Sequence, residues 1–284
     1  MSPTDWKVEK GVTLDGVKKQ FGDEFVSKTV VRDCSFVIED GKFTVLIGPS
    51  GCGKTSLINL IAGYEQPTSG KIKCDGKLVT GPTRDRLVLF QETTLFPWMT
   101  IFENVMYGPR VQGRAASAEP EVVALLSKVG LQDFRDKYPN QLSGGMQRRA
   151  ELARTLINKP RVLLMDEPFR GLDAMTRQLM QEYLLNLFEG SGQTILFVTT
   201  EIDEAILLAD KLVLLSNAPA SVREIVNVEL PRPRSSKIFA TGRFAELKSH
   251  ALSILYNEAL QSFAAGSRAA AEMVQALETR RRAP

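Results

Sequence analysis

The sequence predicts an α/β fold in which helices pack against a parallel β-sheet, and two observations support this class. A short apolar run at residues 42–47 leads into a glycine-rich turn and then into residues 56–62, which are apolar at helical spacing. Further buried-type strands are predicted at 162–168, 194–199 and 211–216. Strands that alternate with helical segments in this way form parallel sheets.

The turn after the first of these strands has the sequence Gly48-Pro-Ser-Gly-Cys-Gly-Lys-Thr55, which fits G-x-x-x-x-G-K-[ST] at every fixed position. Backbone N–H groups of such a loop face an anion, and the helix N-terminus adds its positive end. Lys54 would reach the β- and γ-phosphates of a nucleotide, and the Thr55 hydroxyl would bind Mg²⁺. A glycine-rich turn without a ligand is the disfavoured alternative. The residues predicted to bind the nucleotide are Gly48, Pro49, Ser50, Gly51, Cys52, Gly53, Lys54 and Thr55.

Bulk composition argues against several classes of protein. The 284-residue chain carries 36 basic and 33 acidic residues, and its net charge of +3 gives no reason to expect a nucleic acid partner. Cys34, Cys52 and Cys74 lack metal-binding or redox spacing, and their odd number argues against a disulfide framework. We find no signal-peptide pattern and no stretch of the roughly 20 apolar residues that cross a bilayer. We therefore expect a soluble, cytoplasmic protein whose membrane role comes through a partner.

The region before the glycine-rich turn differs in pattern from the rest. Residues 11–47 alternate apolar and polar side chains between turn signals, which predicts antiparallel strands. Phe21 lies beside one of these turns. Its ring could stack on an adenine base, but from this residue alone packing in the core is the favoured interpretation.

A second candidate anion site lies further along the chain. Residues 118–138 have helical apolar spacing, and another helix is predicted over 148–158. Ahead of that helix, Ser143 is suited to an N-cap, and Gly144 and Gly145 leave backbone N–H groups open to an anion. Two such helix starts serve one phosphate chain only if they meet, within a protomer or between two protomers.

Two carboxylates, Asp166 and Glu167, stand near the end of the predicted strand at 162–168. Asp166 would hold the Mg²⁺ shell, and Glu167 would position or deprotonate an attacking water. An acidic pair at a strand end is more often a solvated turn. Because this pair follows a phosphate-binding loop in the chain, we favour the catalytic interpretation.

The segment 92–108 is unusually apolar for a stretch that also contains proline and threonines. It carries Leu95, Phe96, Trp98 and Met99. One interpretation is a loop packed in the core. The other is a docking surface for a second protein, since Trp, Phe and Met are enriched at interface cores.

Together these features resemble the ATP-binding subunit of an ABC transporter over residues 10–235. The match adds Gln91 as the Q-loop glutamine, Leu142-Ser-Gly-Gly-Met146 as the signature, and Leu172-Asp173 as the D-loop. A P-loop followed by the signature and the acidic strand end in this order is highly specific. Leu95-Phe-Pro-Trp98 and Leu230-Pro-Arg-Pro-Arg234 further resemble nitrate, sulfonate and taurine importers.

This resemblance implies a P-loop NTPase core with a parallel sheet, an antiparallel β subdomain and a helical signature subdomain. It implies a homodimer, or a heterodimer with another ATPase subunit, in which ATP lies between one protomer's P-loop and the other's signature. Phe21 would stack on the adenine, and Gln91 would take part in catalysis and Mg²⁺ binding. The remaining residues placed at the nucleotide are Ser143, Gly144, Gly145 and Asp173.

The same resemblance places the chain on the cytoplasmic face of the cell membrane as a peripheral subunit. The apolar segment after Gln91 would dock a membrane permease. A periplasmic or extracellular substrate-binding protein would act indirectly, through that permease.

Two places depart from the family pattern. Thr200 stands where the family has a switch histidine that contacts the γ-phosphate, and Glu201 replaces the usual aspartate. Arg170 and Gly171 precede the D-loop where small residues are usual. Thr200 keeps a hydroxyl that could act at the γ-phosphate, but it lacks the reach and charge of imidazole. The single histidine, His250, lies far downstream, where a surface or helix-packing role is favoured.

The sequence thus predicts an ATPase that powers a membrane importer for a small anion such as nitrate, a sulfonate or taurine. One alternative is a low-turnover regulatory subunit paired with a second ATPase, because Thr200 replaces the histidine. Another is a soluble ABC ATPase of DNA repair or translation, which the near-neutral charge disfavours. Residues 236–284 are expected to form a C-terminal helical extension. Its basic tail at 280–282 is expected either to be a solvated end or to bind anionic lipid.

Overall fold

The computed structural model describes residues 10–22, 27–189 and 191–266, and side chains up to residue 261. The strands, numbered in chain order, are β1 (Gly11–Gly22), β2 (Ser27–Glu39), β3 (Phe43–Ile47), β4 (Ser69–Cys74), β5 (Lys77–Leu78), β6 (Arg86–Leu89), β7 (Val162–Asp166), β8 (Thr194–Thr199), β9 (Lys211–Leu215) and β10 (Val222–Asn227). The helices are α1 (Lys54–Ala62), α2 (Ile101–Val111), α3 (Ala115–Lys128), α4 (Gly144–Leu156), α5 (Ala174–Phe188), α6 (Ile202–Leu208) and α7 (Gly242–Gly266).

These strands form two sheets. An antiparallel sheet has the order β2-β1-β4-β5, and a second sheet has the order β10-β9-β3-β8-β7-β6. In the second sheet β3 pairs in parallel with β8 and β9, β7 pairs in parallel with β6 and β8, and only the edge strand β10 is antiparallel. Every residue of β3, β7 and β8 is buried, which explains their unbroken apolar runs. The α/β class predicted from the sequence is confirmed.

Hydrophobic packing covers both faces of the parallel sheet. On one face α1 and the antiparallel sheet share a core that includes Leu57 and Phe36. On the other face α5, α6 and α7 pack around Phe43, whose ring meets that of Phe188 edge-on at 5.3 Å between centroids. Burying one such side chain contributes about 1.5–3 kcal/mol. A third apolar cluster holds α2, α3 and α4 together as a helical part.

The predicted helix over residues 118–138 is wrong at its C-terminal end. Helix α3 ends at Lys128, and 3₁₀ turns follow at Gln132–Phe134 and Pro139–Gln141. Gly130 adopts a left-handed φ of 65°, which stops an α-helix, and its N–H donates to the carbonyl of Ser127 at 2.9 Å. The helix therefore stops well before the proline that the sequence pattern suggested as its end.

The C-terminal segment packs on the same core as the parallel sheet. Ile238, Phe244, Leu247 and Ala251 all belong to the cluster around Phe43. The division into domains at 10–235 and 236–284 stays a prediction, and the basic tail at 280–282 lies outside the described residues. None of the helices in the described part of the chain combines the length and hydropathy that a membrane crossing requires.

Glu258 attaches the second half of α7 to the loop that follows β9. Its side chain is only 6% exposed. One carboxylate oxygen accepts from the Asn217 N–H at 2.9 Å, and the other lies 2.6 Å from Nε of Arg223. Ala220, in the same loop, lies directly behind Gly53 of the glycine-rich turn. The C-terminal helix is thus connected to the back of that turn.

Replacing this buried carboxylate should destabilise the protein. We expect Glu258→Ala to lower the free energy of unfolding by about 1–3 kcal/mol, because it leaves the Asn217 N–H without its acceptor. Glu246→Ala, on the exposed side of the same helix, should change it by less than about 0.5 kcal/mol. Urea denaturation of both variants measures the difference. Equal midpoints for the two would contradict the expectation.

Candidate nucleotide site

The glycine-rich turn at 48–55 joins β3 to α1, as the sequence predicts. Two of its glycines are tightly confined. A Cβ at Gly53, which has a φ of 118°, would lie 2.9 Å from the carbonyl oxygen of Val30, and a Cβ at Gly48 would lie 3.0 Å from Cβ of Leu215. A side chain is excluded at Gly53, and at Gly48 it would fit only if Leu215 moved by a few tenths of an ångström, so the loop is closely packed at both glycines.

Lys54 points into the interior of this loop. Its Nζ donates to the carbonyl oxygens of Gly48 and Pro49, each at 2.9 Å, and the side chain is buried. Nζ also lies 3.8 Å from Oε1 of Glu167. The ammonium therefore sits where phosphate oxygens would replace the two carbonyls as its partners. Cys52 beside it is buried, and burial raises the pKa of its thiol, which makes it a packing residue.

The Asp166 carboxylate, at the end of β7, is buried beside α1. Burial raises its pKa above the usual range, while a hydrogen bond from Thr55 opposes that rise. A carboxylate and a hydroxyl are the hard oxygen ligands that Mg²⁺ prefers. Within the described residues no group of three or more acidic, histidine or cysteine side chains could hold a metal. Mg²⁺ held by Asp166 and Thr55 would need phosphate oxygens as well, which is how it binds in nucleotide enzymes.

Glu167 follows Asp166 in an unusual backbone conformation. Its φ is 44°, in the left-handed region that non-glycine residues rarely adopt, and its N–H donates to the Val198 carbonyl at 2.9 Å. This turn directs the side chain back towards the glycine-rich loop and Lys54. The other carboxylate oxygen, Oε2, accepts from Arg170 Nη1 at 3.0 Å. A strained residue at this position is typical of a functional site.

A buried ion pair on α4 holds the loop that carries Gln91. Arg148 donates to the carbonyls of Phe90, at 2.8 Å, and of Gln91, and it pairs with Glu151 at 2.6 Å. Glu151 in turn accepts from the Thr94 hydroxyl at 3.0 Å. Burial lowers the pKa of Arg148, and the Glu151 charge opposes that shift. The sequence did not predict these contacts to the loop. The opposite charges of Arg148 and Glu151, three residues apart on a helix, indicate their ion pair but not its contact to Phe90 and Gln91. The Gln91 residue itself is exposed.

The second helix start lies on the helical part of the chain. Ser143 caps α4 by accepting from the Met146 N–H at 3.4 Å, and Asp173 caps α5 by accepting from the Thr176 N–H at 3.0 Å. A Cβ at Gly145 would lie 2.6 Å from the Thr176 methyl group, so these two helix starts are neighbours. Helix α4 packs against α2, α3, α5 and β6, whereas α1 packs against β2, β6 and β7. Helix α1 packs in the cluster that includes Leu57, whereas the apolar residues of α4 belong to the other two clusters, so the two groups of predicted site residues start from different parts of the protomer.

Three further residues singled out in the sequence are exposed to solvent. Phe21 is 40% exposed near the end of β1 with Nζ of Lys19 4.7 Å above its ring, so it is not a core residue. Thr200 is exposed directly after β8. His250 pairs on the surface with Glu224 at 2.7 Å, which confirms the expected surface or helix-packing role.

A glycine-rich phosphate loop beside a strand that ends in two carboxylates defines a P-loop NTPase. A model of the ABC transporter family matches residues 31–170. The chain is 39% identical over 261 residues to the bicarbonate transport ATP-binding protein CmpD of a Synechocystis species, which covers 90% of this chain and 93% of that protein. The chain belongs to the ABC transporter family, as an ATP-binding subunit and an ATPase coupled to transport.

Two further relatives are import proteins by name. The aliphatic sulfonates import ATP-binding protein SsuB of Bacillus cereus is 40% identical over 79% of this chain and 88% of its own. The taurine import ATP-binding protein TauB of a Jannaschia species is 45% identical over 70% of this chain and 74% of its own. A solved dimeric structure of the ATP-binding cassette MJ0796, in a post-hydrolysis state with ADP and Pi, superposes with a TM-score of 0.65. It is 27% identical and covers 78% of this chain and all of that one.

Removing the Lys54 ammonium should weaken nucleotide binding. We expect Lys54→Ala to raise the Kd for ATP roughly 10- to 100-fold, because a charge-assisted contact to phosphate contributes about 1.5–3 kcal/mol. Lys42→Ala, which removes an exposed lysine ahead of β3, is the matched control and should leave the Kd unchanged. Titration calorimetry measures both, and an unchanged Kd for Lys54→Ala would refute the assignment.

Proposed function

We propose that the chain is the ATPase subunit of an importer for a small oxyanion and that Glu167 is its catalytic base. The observation that carries the proposal is the Glu167 carboxylate, held between Lys54 and Arg170 beside the buried Asp166. The relatives named above are ATP-binding proteins named for bicarbonate transport, aliphatic sulfonates import and taurine import, and each of these substrates carries a compact oxyanion group. The permease and a substrate-binding protein would select among them.

The hydrolytic step follows from the positions of these side chains. The backbone of the glycine-rich loop and Lys54 would bind the phosphates of ATP. Mg²⁺ held by Asp166 and Thr55 would neutralise charge on the phosphate oxygens. Glu167 would accept a proton from a water whose oxygen attacks the γ-phosphorus, and the bond from that phosphorus to the bridging oxygen would break. The electron pair of that bond would leave with ADP.

We further propose that two ATPase subunits close on each nucleotide. The phosphate-loop group and the Ser143 group are separate in one protomer, and a second protomer would bring one against the other. Two large apolar side chains on α5, Met175 and Leu179, are exposed close to Asp173 and would be covered in such a contact. The dimeric MJ0796 cassette supports this arrangement. The second subunit is either another copy of this chain or a different ATPase, and both sit on the cytoplasmic face of the membrane.

A permease would dock on an aromatic surface formed by Phe96, Trp98 and Tyr107. Trp98 is 69% exposed, and the Phe96 ring lies 5.6 Å from that of Trp98 and 4.8 Å from that of Tyr107. The buried Asn104 fixes the loop: its Oδ1 accepts from the Phe96 N–H at 2.8 Å, and its Nδ2 donates to the Phe96 carbonyl at 3.1 Å. The core interpretation holds for Leu95 of the same segment, and the docking surface stays a proposal for the exposed aromatic residues.

The alternative of a low-turnover regulatory subunit draws no support from the comparisons. CmpD is named a transport ATP-binding protein, and SsuB and TauB are named import ATP-binding proteins. We therefore retain the hydrolysing subunit as the proposed function.

The base assignment predicts a variant that binds but does not turn over. Glu167→Gln should reduce ATP hydrolysis about 100- to 10,000-fold, since it removes the proton acceptor. ATP affinity should stay within about threefold, because the amide keeps the size of the carboxylate. Phosphate release and calorimetry measure the two effects. A variant that still hydrolyses ATP at the wild-type rate would exclude Glu167 as the base.

The docking proposal predicts a variant that loses assembly with the permease but still binds ATP. Trp98→Glu should abolish co-purification with the permease while ATP affinity stays at the wild-type value, because a charge replaces an exposed aromatic anchor. Leu78→Glu changes an equally apolar, exposed residue on the antiparallel sheet and should assemble normally. Normal assembly of Trp98→Glu would place the permease elsewhere.

A further inference from the structure

Arg170 folds back onto the carboxylate of Glu167. Its N–H donates to the Glu167 carbonyl at 3.1 Å, and its Nη1 donates to Oε2 of the same residue at 3.0 Å. Gly171 follows with a φ of 79°, a conformation that lets the chain turn tightly after the arginine. Backbone and side chain thus both fix Arg170 on Glu167, although the Arg170 side chain is 58% exposed.

Glu167 has a different cation on each of its oxygens. Oε1 faces Lys54, whose ammonium also binds two carbonyls of the glycine-rich loop. Phosphates entering the loop would take up the donors of Lys54, and they would repel both Glu167 and the neighbouring Asp166. Arg170 is then the positive charge that stays on Glu167, at Oε2.

Thr200 lies at the same edge of the sheet. The Glu167 N–H donates to the carbonyl of Val198, two residues before Thr200, so the ends of β7 and β8 are adjacent. Thr200 carries no charge at any pH. The two departures from the family pattern at this edge therefore differ in charge. Thr200 is neutral, and Arg170 adds a permanent positive charge.

We propose that Arg170 is a positioning residue for Glu167. It holds Oε2 so that Oε1 faces the attacking water, and it supplies beside the γ-phosphate the positive charge that Thr200 does not. This rests on the proposed role of Glu167 as the base. It explains how a subunit without a histidine at position 200 turns over ATP.

Four variants of the full chain test the proposal by steady-state phosphate release, with kcat and KM determined separately and ATP affinity measured by calorimetry. Arg170→Gln should lower kcat roughly 10- to 100-fold with KM for ATP within about twofold, because misplacing a reacting group affects chemistry more than binding. Arg170→Lys should keep kcat within about threefold of wild type. Thr200→His alone should change kcat little, and Arg170→Gln combined with Thr200→His should recover most of the lost rate.

Arg243→Gln is the matched control. Arg243 also pairs with a glutamate three residues away, at 3.2 Å from Glu246, but on α7, far along the chain from the site. It should leave kcat and KM unchanged.

Several outcomes would overturn the proposal. Wild-type kcat in Arg170→Gln would do so, and so would an equal loss in Arg170→Lys, since charge would then not matter. If the combined variant lost as much kcat as Arg170→Gln alone, a histidine at position 200 would not replace the function of Arg170. Wild-type protein that binds ATP without hydrolysing it would refute the proposed function and this inference together. Turnover in wild type that Arg170→Gln leaves unchanged would refute the inference alone.

Discussion

The site depends on the parallel pairing of β3, β8 and β7. In this register Ile47 lies opposite Thr199 and Asp166 lies opposite Val198, so three strands end at one edge of the sheet. Because the glycine-rich loop follows β3 and the carboxylates follow β7, strands far apart in sequence deliver both to the same place. Every residue of β3, β7 and β8 is buried, so these strands are packed on both faces where they end at the site.

Charge is concentrated at this edge, and packing around it is otherwise apolar. Asp166 and Lys54 are buried, and the Glu167 side chain is nearly so. Burying charges carries a desolvation cost that partners must offset. Lys54 has carbonyl partners and Asp166 has the Thr55 hydroxyl, so each is stabilised before any nucleotide arrives. The site is therefore preorganised, with its charged groups already aimed inward.

Local sequence patterns predicted the parts of the fold that depend on neighbouring residues. The strand, loop and helix around Lys54 are continuous in the chain, so their order and composition were sufficient. The Arg148 contact to the Gln91 carbonyl joins residues 57 positions apart, and no periodicity reports such a contact. The Arg170 contact depends on the left-handed backbone of Glu167, which its residue type does not suggest. At Gly130 the pattern stayed helical while a left-handed glycine ended the helix.

Side chains of α4 bind the loop at 90–94, and this connects the loop to the start of that helix. Arg148 and Glu151 bind that loop, Arg154 donates to the Thr94 carbonyl at 2.8 Å, and Asn104 binds Phe96, Met99 and Thr100 further along the chain. These contacts link the aromatic surface to helix α4, which begins after Ser143. A connection from Trp98 to Ser143 therefore runs through side-chain hydrogen bonds of α2, the loop at 90–94 and α4, outside the strand pairing of the parallel sheet.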